Sequence, residues 1–269
     1  MALKEEFIKL GYTEEEYHDI RNSYPINNLK GETLIKKLKD NFNYLLKNGY
    51  TKEEVIKMTT KLPAIYGYSI ENIKQKIEDI IELGYTKEEV IKMAKSSPSI
   101  YGLSKENIKQ KIKDMNTLGY TKEEVIKMTK ILPQIYCYSI ESMKQKIEDI
   151  IELGYTKEEV IKMTKSLPAI YGYSIENMKQ KIEFYDSIDM HNLAVINPKQ
   201  LMQSVNLSYA RYSFYKNIGT DIDMNNYVKL FIGQKQFEKT YGITKQKLLE
   251  KYDYNKYKEE KEKENGRII

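Results

Sequence analysis

The sequence predicts an all-α helical-repeat solenoid, a stack of helix–turn–helix units of about 35 residues. Three observations carry that prediction. Gly-Tyr-Thr recurs at Gly49, Gly84, Gly119 and Gly154, each 35 residues after the last, with a diverged copy starting at Gly11. Pro25, Pro63, Pro98, Pro133 and Pro168 keep the same beat, and Pro198 closes a shortened unit. No stretch alternates apolar and polar residues with period two, so no sheet is expected. Units of this size cannot bury their apolar faces alone and must stack on their neighbours.

The unit starting at Gly49 shows the grammar of each element. Thr51-Lys-Glu-Glu54 reads as a capping box, with Tyr50 before it placed to staple onto Val55. The first helix carries Val55, Ile56, Thr59 and Leu62 on one face and stops at Pro63, which can neither donate a backbone hydrogen bond nor fit inside a helix. A tight turn, Pro63-Ala-Ile-Tyr-Gly67, leads to Ser69, the cap of a second helix. Ile70, Ile73, Ile77, Ile80 and Ile81 give that helix its apolar face, and Gly84 ends it in the left-handed conformation. The copies are close: residues 68–102 and 138–172 agree at 30 of 35 positions, the mark of a duplicated two-unit block.

One solenoid domain is expected over 1–252. Residues 1–48 form an N-terminal capping unit with its own box at Thr13–Glu16, and 49–188 hold four near-identical units. Residues 189–252 hold diverged units, ending in a helix pair between Asn225 and Tyr252 in which Ile243-Thr244 repeats the staple and cap. A Lys- and Glu-rich tail, 253–269, is expected to fray or be disordered.

Composition narrows the function. Hydrophobic residues make up 41% of the chain, enough for a packed core rather than a disordered segment. No apolar run reaches membrane length, so no membrane association is expected. The single cysteine, Cys137, excludes an intramolecular disulfide and fits a reducing compartment. The first residues fit neither a secretory signal nor an acid-poor presequence, which points to a cytoplasm or to a mature imported form. Catalytic signals are missing. His18 and His191 fall in opposite end regions, and no phosphate loop, metal-ligand cluster or nucleophile elbow occurs. The chain reads as a non-enzyme with no cofactor, no metal and no small-molecule substrate.

The order Gly-Tyr-Thr-x-Glu-Glu-Val-Ile-x-Met, then Pro-x-Ile-Tyr, then Ser-Ile-Glu-Asn, Lys-Ile and Leu-Gly closely resembles the mitochondrial transcription termination factor (mTERF) repeat, over roughly residues 7 to 252. The resemblance implies a left-handed superhelix of three-helix units, with Pro63–Gly67 as the short 3₁₀ member. It also implies binding of duplex DNA or RNA along a basic groove, in some members with a protein partner. Few arginines and the unlike N-terminus place it nearer the shorter, bacterial-type relatives.

Charge patterning supplies candidate contacts. Net charge is +5, almost all of it from lysine. Lys57, Lys92, Lys127 and Lys162 share one repeat position; Lys95, Lys130 and Lys165 share another three residues on. Both sets are expected to point away from the apolar face and form a ladder able to follow phosphates. Lys74 and Lys76, with their copies, flank the apolar stripe of the second helix. The bland reading of these cations is a solvated face held by i,i+4 pairs such as Glu53–Lys57. Recurring tyrosines at Tyr50 and Tyr66 read as seam fillers with wet hydroxyls. Tyr209, Tyr212 and Tyr215 beside Arg211 and Lys216 suggest an exposed aromatic-basic patch. The leading expectation is a nucleic-acid binder, duplex DNA before RNA, acting in transcription or its termination. Near-identical units argue against base-by-base readout. The alternatives are an RNA-binding factor or a protein–protein scaffold with a Tyr-lined concave face.

Overall fold

A computed structural model describes residues 2–265. Helices and the turns that join them make up the fold, and among the described residues there is no strand. The fold class is the expected all-α repeat solenoid. The chain divides into two compact units, residues 1–140 and 141–269.

In the first unit, α1 (Ala2–Leu10) and α2 (Glu14–Asn22) lead through a 3₁₀ turn at Ile26–Asn28 into α3 (Gly31–Lys47). Two full repeats follow. The first is α4 (Lys52–Lys61), a 3₁₀ turn at Pro63–Gly67 and α5 (Ile70–Ile81). The second is α6 (Lys87–Ser96), Pro98–Gly102 and α7 (Lys105–Leu118), after which α8 (Lys122–Ile131) and Pro133–Cys137 begin another. The turn implied by the resemblance is therefore present in 3₁₀ form. Because α1 ends at Gly11 as α3 ends at Gly49, it corresponds to the second helix of a repeat.

The second unit takes up the pattern with α9 (Ile140–Glu152), α10 (Lys157–Ser166), a turn at Pro168–Gly172 and α11 (Ile175–Asp186). Then come the short α12 (Leu193–Ile196), a turn at Pro198–Met202 and α13 (Val205–Asn217). A turn at Tyr227–Phe231 precedes α14 (Gln234–Tyr241), α15 (Lys245–Lys251) and α16 (Tyr254–Asn265). The segment read as a charged tail thus begins with an ordered helix. Tyr254 is buried and packs on Phe184 and Tyr209, which gives that helix an apolar anchor. Residues 266–269 of the expected tail lie outside the described residues.

Local chemistry produces these elements as the repeat grammar predicts. Thr13, Thr51, Thr86, Thr121 and Thr156 each close a two-way capping box with a glutamate three residues on. Ser69, Ser104 and Ser174 cap second helices. Each second helix buries one stripe, as Ile73, Ile77 and Ile80 do in α5, and each such side chain contributes about 1.5–3 kcal/mol. First helices bury a valine and a methionine, such as Val90 and Met93.

One position in the diverged region departs from the grammar. The residue just past α11 is Asp189, at φ 55°, where every other repeat has a left-handed glycine. Met190 N–H then bonds Tyr185 O at 2.8 Å, reproducing the bond from Tyr120 N–H to Met115 O. The closing position of the repeat therefore recurs 35 residues after Gly154, with aspartate in a glycine's place.

Candidate nucleic-acid interface

The ladder splits into two populations that serve different ends. Lys57, Lys92, Lys127 and Lys162 are exposed, and none makes an ion pair within 4 Å among the described residues. The i,i+4 bridge expected between Glu53 and Lys57 does not form. Glu53 turns back instead to the helix start, where its own backbone N–H and the Thr51 hydroxyl hold its carboxyl below the usual carboxylate range.

Lys95 and Lys130 do not point away from the protein. Lys95 Nζ lies 2.8 Å from Glu54 and donates to Gly49 O at 2.9 Å, 5.4 Å from the centre of the Tyr50 ring. Lys130 repeats the arrangement with Glu89 at 2.6 Å and the Tyr85 ring at 5.9 Å. Each ties its own first helix to the capping box of the preceding repeat. The lysine holds the carboxyl of Glu54, and likewise of Glu89, below the ordinary range, and the bond from the capping threonine's N–H adds to it. These two lysines leave the ladder because a cation at that position meets a carboxylate and a ring face, to which Lys95 adds the helix-terminal carbonyl of Gly49. Lys165 occupies the equivalent position in the second unit and is likewise half-buried.

The second helices hold a similar division. Asn41, Lys76, Lys111, Lys146 and Lys181 stand 35 residues apart and reach the carbonyls that end the next repeat's 3₁₀ turn. Asn41 Nδ2 donates to Tyr68 O at 3.1 Å, Lys76 to Leu103 O at 3.2 Å and Lys146 to Tyr173 O at 2.7 Å. Lys111 donates to Tyr138 O and Lys181 to Leu201 O. Turn ends present carbonyls without intrahelical donors, and a cation is the donor that also suits the dipole. Burial pushes the Lys181 ammonium downward.

Arg211 completes that series and is not part of an exposed patch. It is 1% exposed, and Nη1 donates to Leu230 O at 2.8 Å and Ile232 O at 2.7 Å while Nη2 reaches Gln234 at 3.1 Å. Tyr215 beside it is buried too. Lys216 is exposed, on the face of α13 that also carries Tyr209 and Tyr212.

The recurring tyrosines fill seams as expected, but their hydroxyls are not wet. Tyr50 bonds Tyr101 at 2.8 Å, Tyr85 bonds Tyr136 and Thr129 at 2.5 Å each, and Tyr12 bonds Tyr66 and, at 2.6 Å, Thr59. In these three repeats the tyrosine before the first helix joins the tyrosine of the next repeat's turn, whereas Tyr155 donates to His191 O at 3.0 Å. Burial raises the Tyr12 and Tyr101 hydroxyls to about 12. Sequence reading missed this ladder, although its signal was visible as Tyr and Thr recurring in phase.

Three exposed lysines, Lys47, Lys87 and Lys92, meet the paired Lys95 at one place in the first unit. Lys47, Lys87, Lys92 and Lys95 border a cleft of about 450 Å³ between the end of α3 and the outer face of α6, with Glu88 the one carboxylate on its wall. The position of Lys47 is taken by Glu82, Thr117 and Glu152 in later repeats, so the equivalent place there lacks this cation. Among the described residues no helix is long and apolar enough to cross a membrane, and no three His, Cys, Asp or Glu side chains are placed to hold a metal. The sequence profile of the mTERF family matches residues 5–152 and, in a second overlapping register, 81–196. No protein of curated function matches the chain.

Proposed function

Because this chain belongs to the mTERF family, we propose that it is a non-catalytic nucleic-acid-binding protein that engages duplex DNA in preference to RNA and acts in transcription or its termination. The family supports nucleic-acid binding with a transcription-related role. Backbone contact through Lys57, Lys92 and Lys127 in the first unit and Lys162 in the second is our own reading. Lys216 adds an exposed cation near the end of the second unit.

The observation that carries it is the division among the lysines. Two periodic sets are spent on carbonyls and carboxylates inside the protein, yet the Lys57 set stays exposed and free of counter-ions at every repeat. Lysines that recur at one repeat position present cations at regular steps, and each phosphate contact releases condensed counter-ions, which makes binding salt-dependent. Near-identical units present the same side chains at each step, so positioning on the backbone dominates over readout of base edges.

Fluorescence anisotropy of labelled duplex DNA, single-stranded DNA and structured RNA across a salt series tests the proposal. Micromolar or tighter duplex binding that weakens steeply with salt supports it, and no binding to any probe at low salt retires it. Tighter binding to the RNA probe would move the assignment to an RNA-binding factor. A protein scaffold is the alternative, favoured by nearly neutral units and abundant tyrosine, although the tyrosines of the hydroxyl ladder are buried.

A further inference from the structure

We propose that the second unit carries a small-ligand site between α11, α13 and α16 that takes a planar aromatic ring bearing an anionic group, with nucleoside 5′-monophosphates as the representative class. Sequence reading expected no small-molecule substrate, and this site is for binding rather than turnover. The cavity holds about 380 Å³, within the lower range of small-molecule pockets. Phe184, Tyr209, Tyr212, Tyr252 and Tyr257 supply its aromatic walls, and Lys216 stands on its lining as the one cation.

The arrangement follows from helical spacing. Tyr209, Tyr212, Ser213 and Lys216 stand at i, i+3, i+4 and i+7 on α13, so they share one face of the helix. Seven residues at 1.5 Å each separate the Tyr209 level from the Lys216 level by about 10 Å. An elongated ligand lying along α13 therefore meets aromatic side chains at one end and an ammonium at the other.

Two details fix its polarity. The Tyr209 ring is stacked on Tyr257 at 4.8 Å, and burial first, then Tyr257 and the Glu260 and Asp253 carboxylates, disfavour negative charge on the Tyr209 hydroxyl. That end repels an anion. Lys216 is exposed and makes no ion pair within 4 Å among the described residues, so the anionic group belongs there. The Tyr252 hydroxyl is buried at the wall without a hydrogen-bond partner, an arrangement that costs stability unless something pairs with it. A ring nitrogen or exocyclic group of the ligand is the natural partner.

Isothermal titration of the full chain with AMP, GMP, CMP and UMP, and with adenosine as the uncharged control, tests the site. Expected is saturable binding of at least one mononucleotide with a dissociation constant below a millimolar. Lys216→Gln should weaken that mononucleotide about tenfold and leave adenosine unchanged. Tyr212→Ala should weaken both by about tenfold, the worth of one stacking interaction. Tyr212→Phe keeps the ring and should bind as the parent does, which separates missing stacking from failed folding. The triple variant Lys57→Gln, Lys92→Gln, Lys127→Gln should leave mononucleotide binding intact, so the failure of either proposal can be told from that of the other. Absence of binding by all four mononucleotides at millimolar concentration overturns the inference. So does binding that ignores Lys216 and Tyr212, or binding that falls with the triple variant.

Discussion

The hydroxyls of Tyr85 and Tyr136 lie 2.5 Å apart, one repeat from each other and 51 residues apart in the chain. Thr129 joins them by accepting from Tyr85, because its own proton goes to Val125 O at 2.9 Å. That leaves one consistent direction, Tyr136 to Tyr85 to Thr129 to the α8 backbone, and a chain of this kind strengthens each member. Tyr85→Phe removes the centre and takes one of the buried Tyr136 hydroxyl's two partners, leaving Thr129. Urea unfolding should show a loss of about 1–3 kcal/mol. The double variant Tyr85→Phe, Tyr136→Phe should cost less than the sum of the singles, because both singles remove the same bond. Strict additivity would mean that the two hydroxyls do not depend on each other.

Arg211 is a buried cation that makes no ion pair with a carboxylate among the described residues. Its charge is balanced by two backbone carbonyls, Gln234 and the face of Phe237 at 4.9 Å. Arg211→Ala would leave the carbonyls of Leu230 and Ile232 without that donor, and a loss of about 2–4 kcal/mol is expected. Arg211→Lys keeps the charge but cannot fork to both carbonyls, and should fall between the two. Melting curves of the three proteins decide this. An alanine variant within about 0.5 kcal/mol of the parent would show that the guanidinium contributes little net stability.

These two residues show where the sequence was legible and where it was not. Repeat period, caps and turns act within one unit, so Thr51, Pro63 and Gly84 announce their roles by spacing alone. What joins one unit to the next depends on which atoms meet across the stack. Lys92 and Lys95 look alike in the sequence, both charged and both off the apolar face, yet only Lys95 finds Glu54 and the carbonyl of Gly49 within reach. Lys76 flanks the apolar stripe of its own helix, and nothing local says that its ammonium ends on Leu103 O. Arg211 was misplaced for the same reason. Its partners lie 19 to 23 residues on, in a region where the repeat had become hard to follow.

Asp189 gives a stabilising prediction. A side chain at φ 55° meets the steric resistance that glycine avoids, and seven glycines take positive φ in this chain. Asp189→Gly should raise stability by about 0.5–1 kcal/mol, read as a rise in melting temperature. An unchanged or lower melting temperature would mean that the aspartate side chain contributes more than the strain costs.

Stability should fall at both ends of the pH range, for different groups. Glu54 and Glu89 have carboxyls held below the ordinary 4.5, first by Lys95 and Lys130. For a lowered acid the stabilisation is complete above 4.5 and lost as pH falls through the folded value, so destabilisation should begin below about pH 4.5. Tyr12 and Tyr101 are raised from 10.0 to about 12. For a raised group the stabilisation is complete below 10.0 and lost as pH climbs toward 12. Ultraviolet titration should therefore show exposed tyrosines ionising near pH 10 and a second group appearing only with unfolding. All 24 tyrosines titrating together near pH 10 would contradict the buried ladder.

The division among lysines makes its sharpest prediction in the salt dependence of duplex binding. Removing one lysine from a phosphate should flatten the plot of log affinity against log salt by about 0.9. Lys57→Gln, Lys92→Gln and Lys127→Gln together should reduce the slope by about 2–3 and leave the melting temperature near the parent's, since these side chains hold nothing inside the fold. Lys95→Gln with Lys130→Gln should do the reverse. The melting temperature should drop as the bridges to Glu54 and Glu89 disappear, while the slope changes little. Anisotropy titrations at four salt concentrations, paired with thermal melts, distinguish the sets. If the Lys95 pair carried the slope and the Lys57 set did not, phosphates would be entering at the repeat seams, and the outer lysine row would be a solvated face.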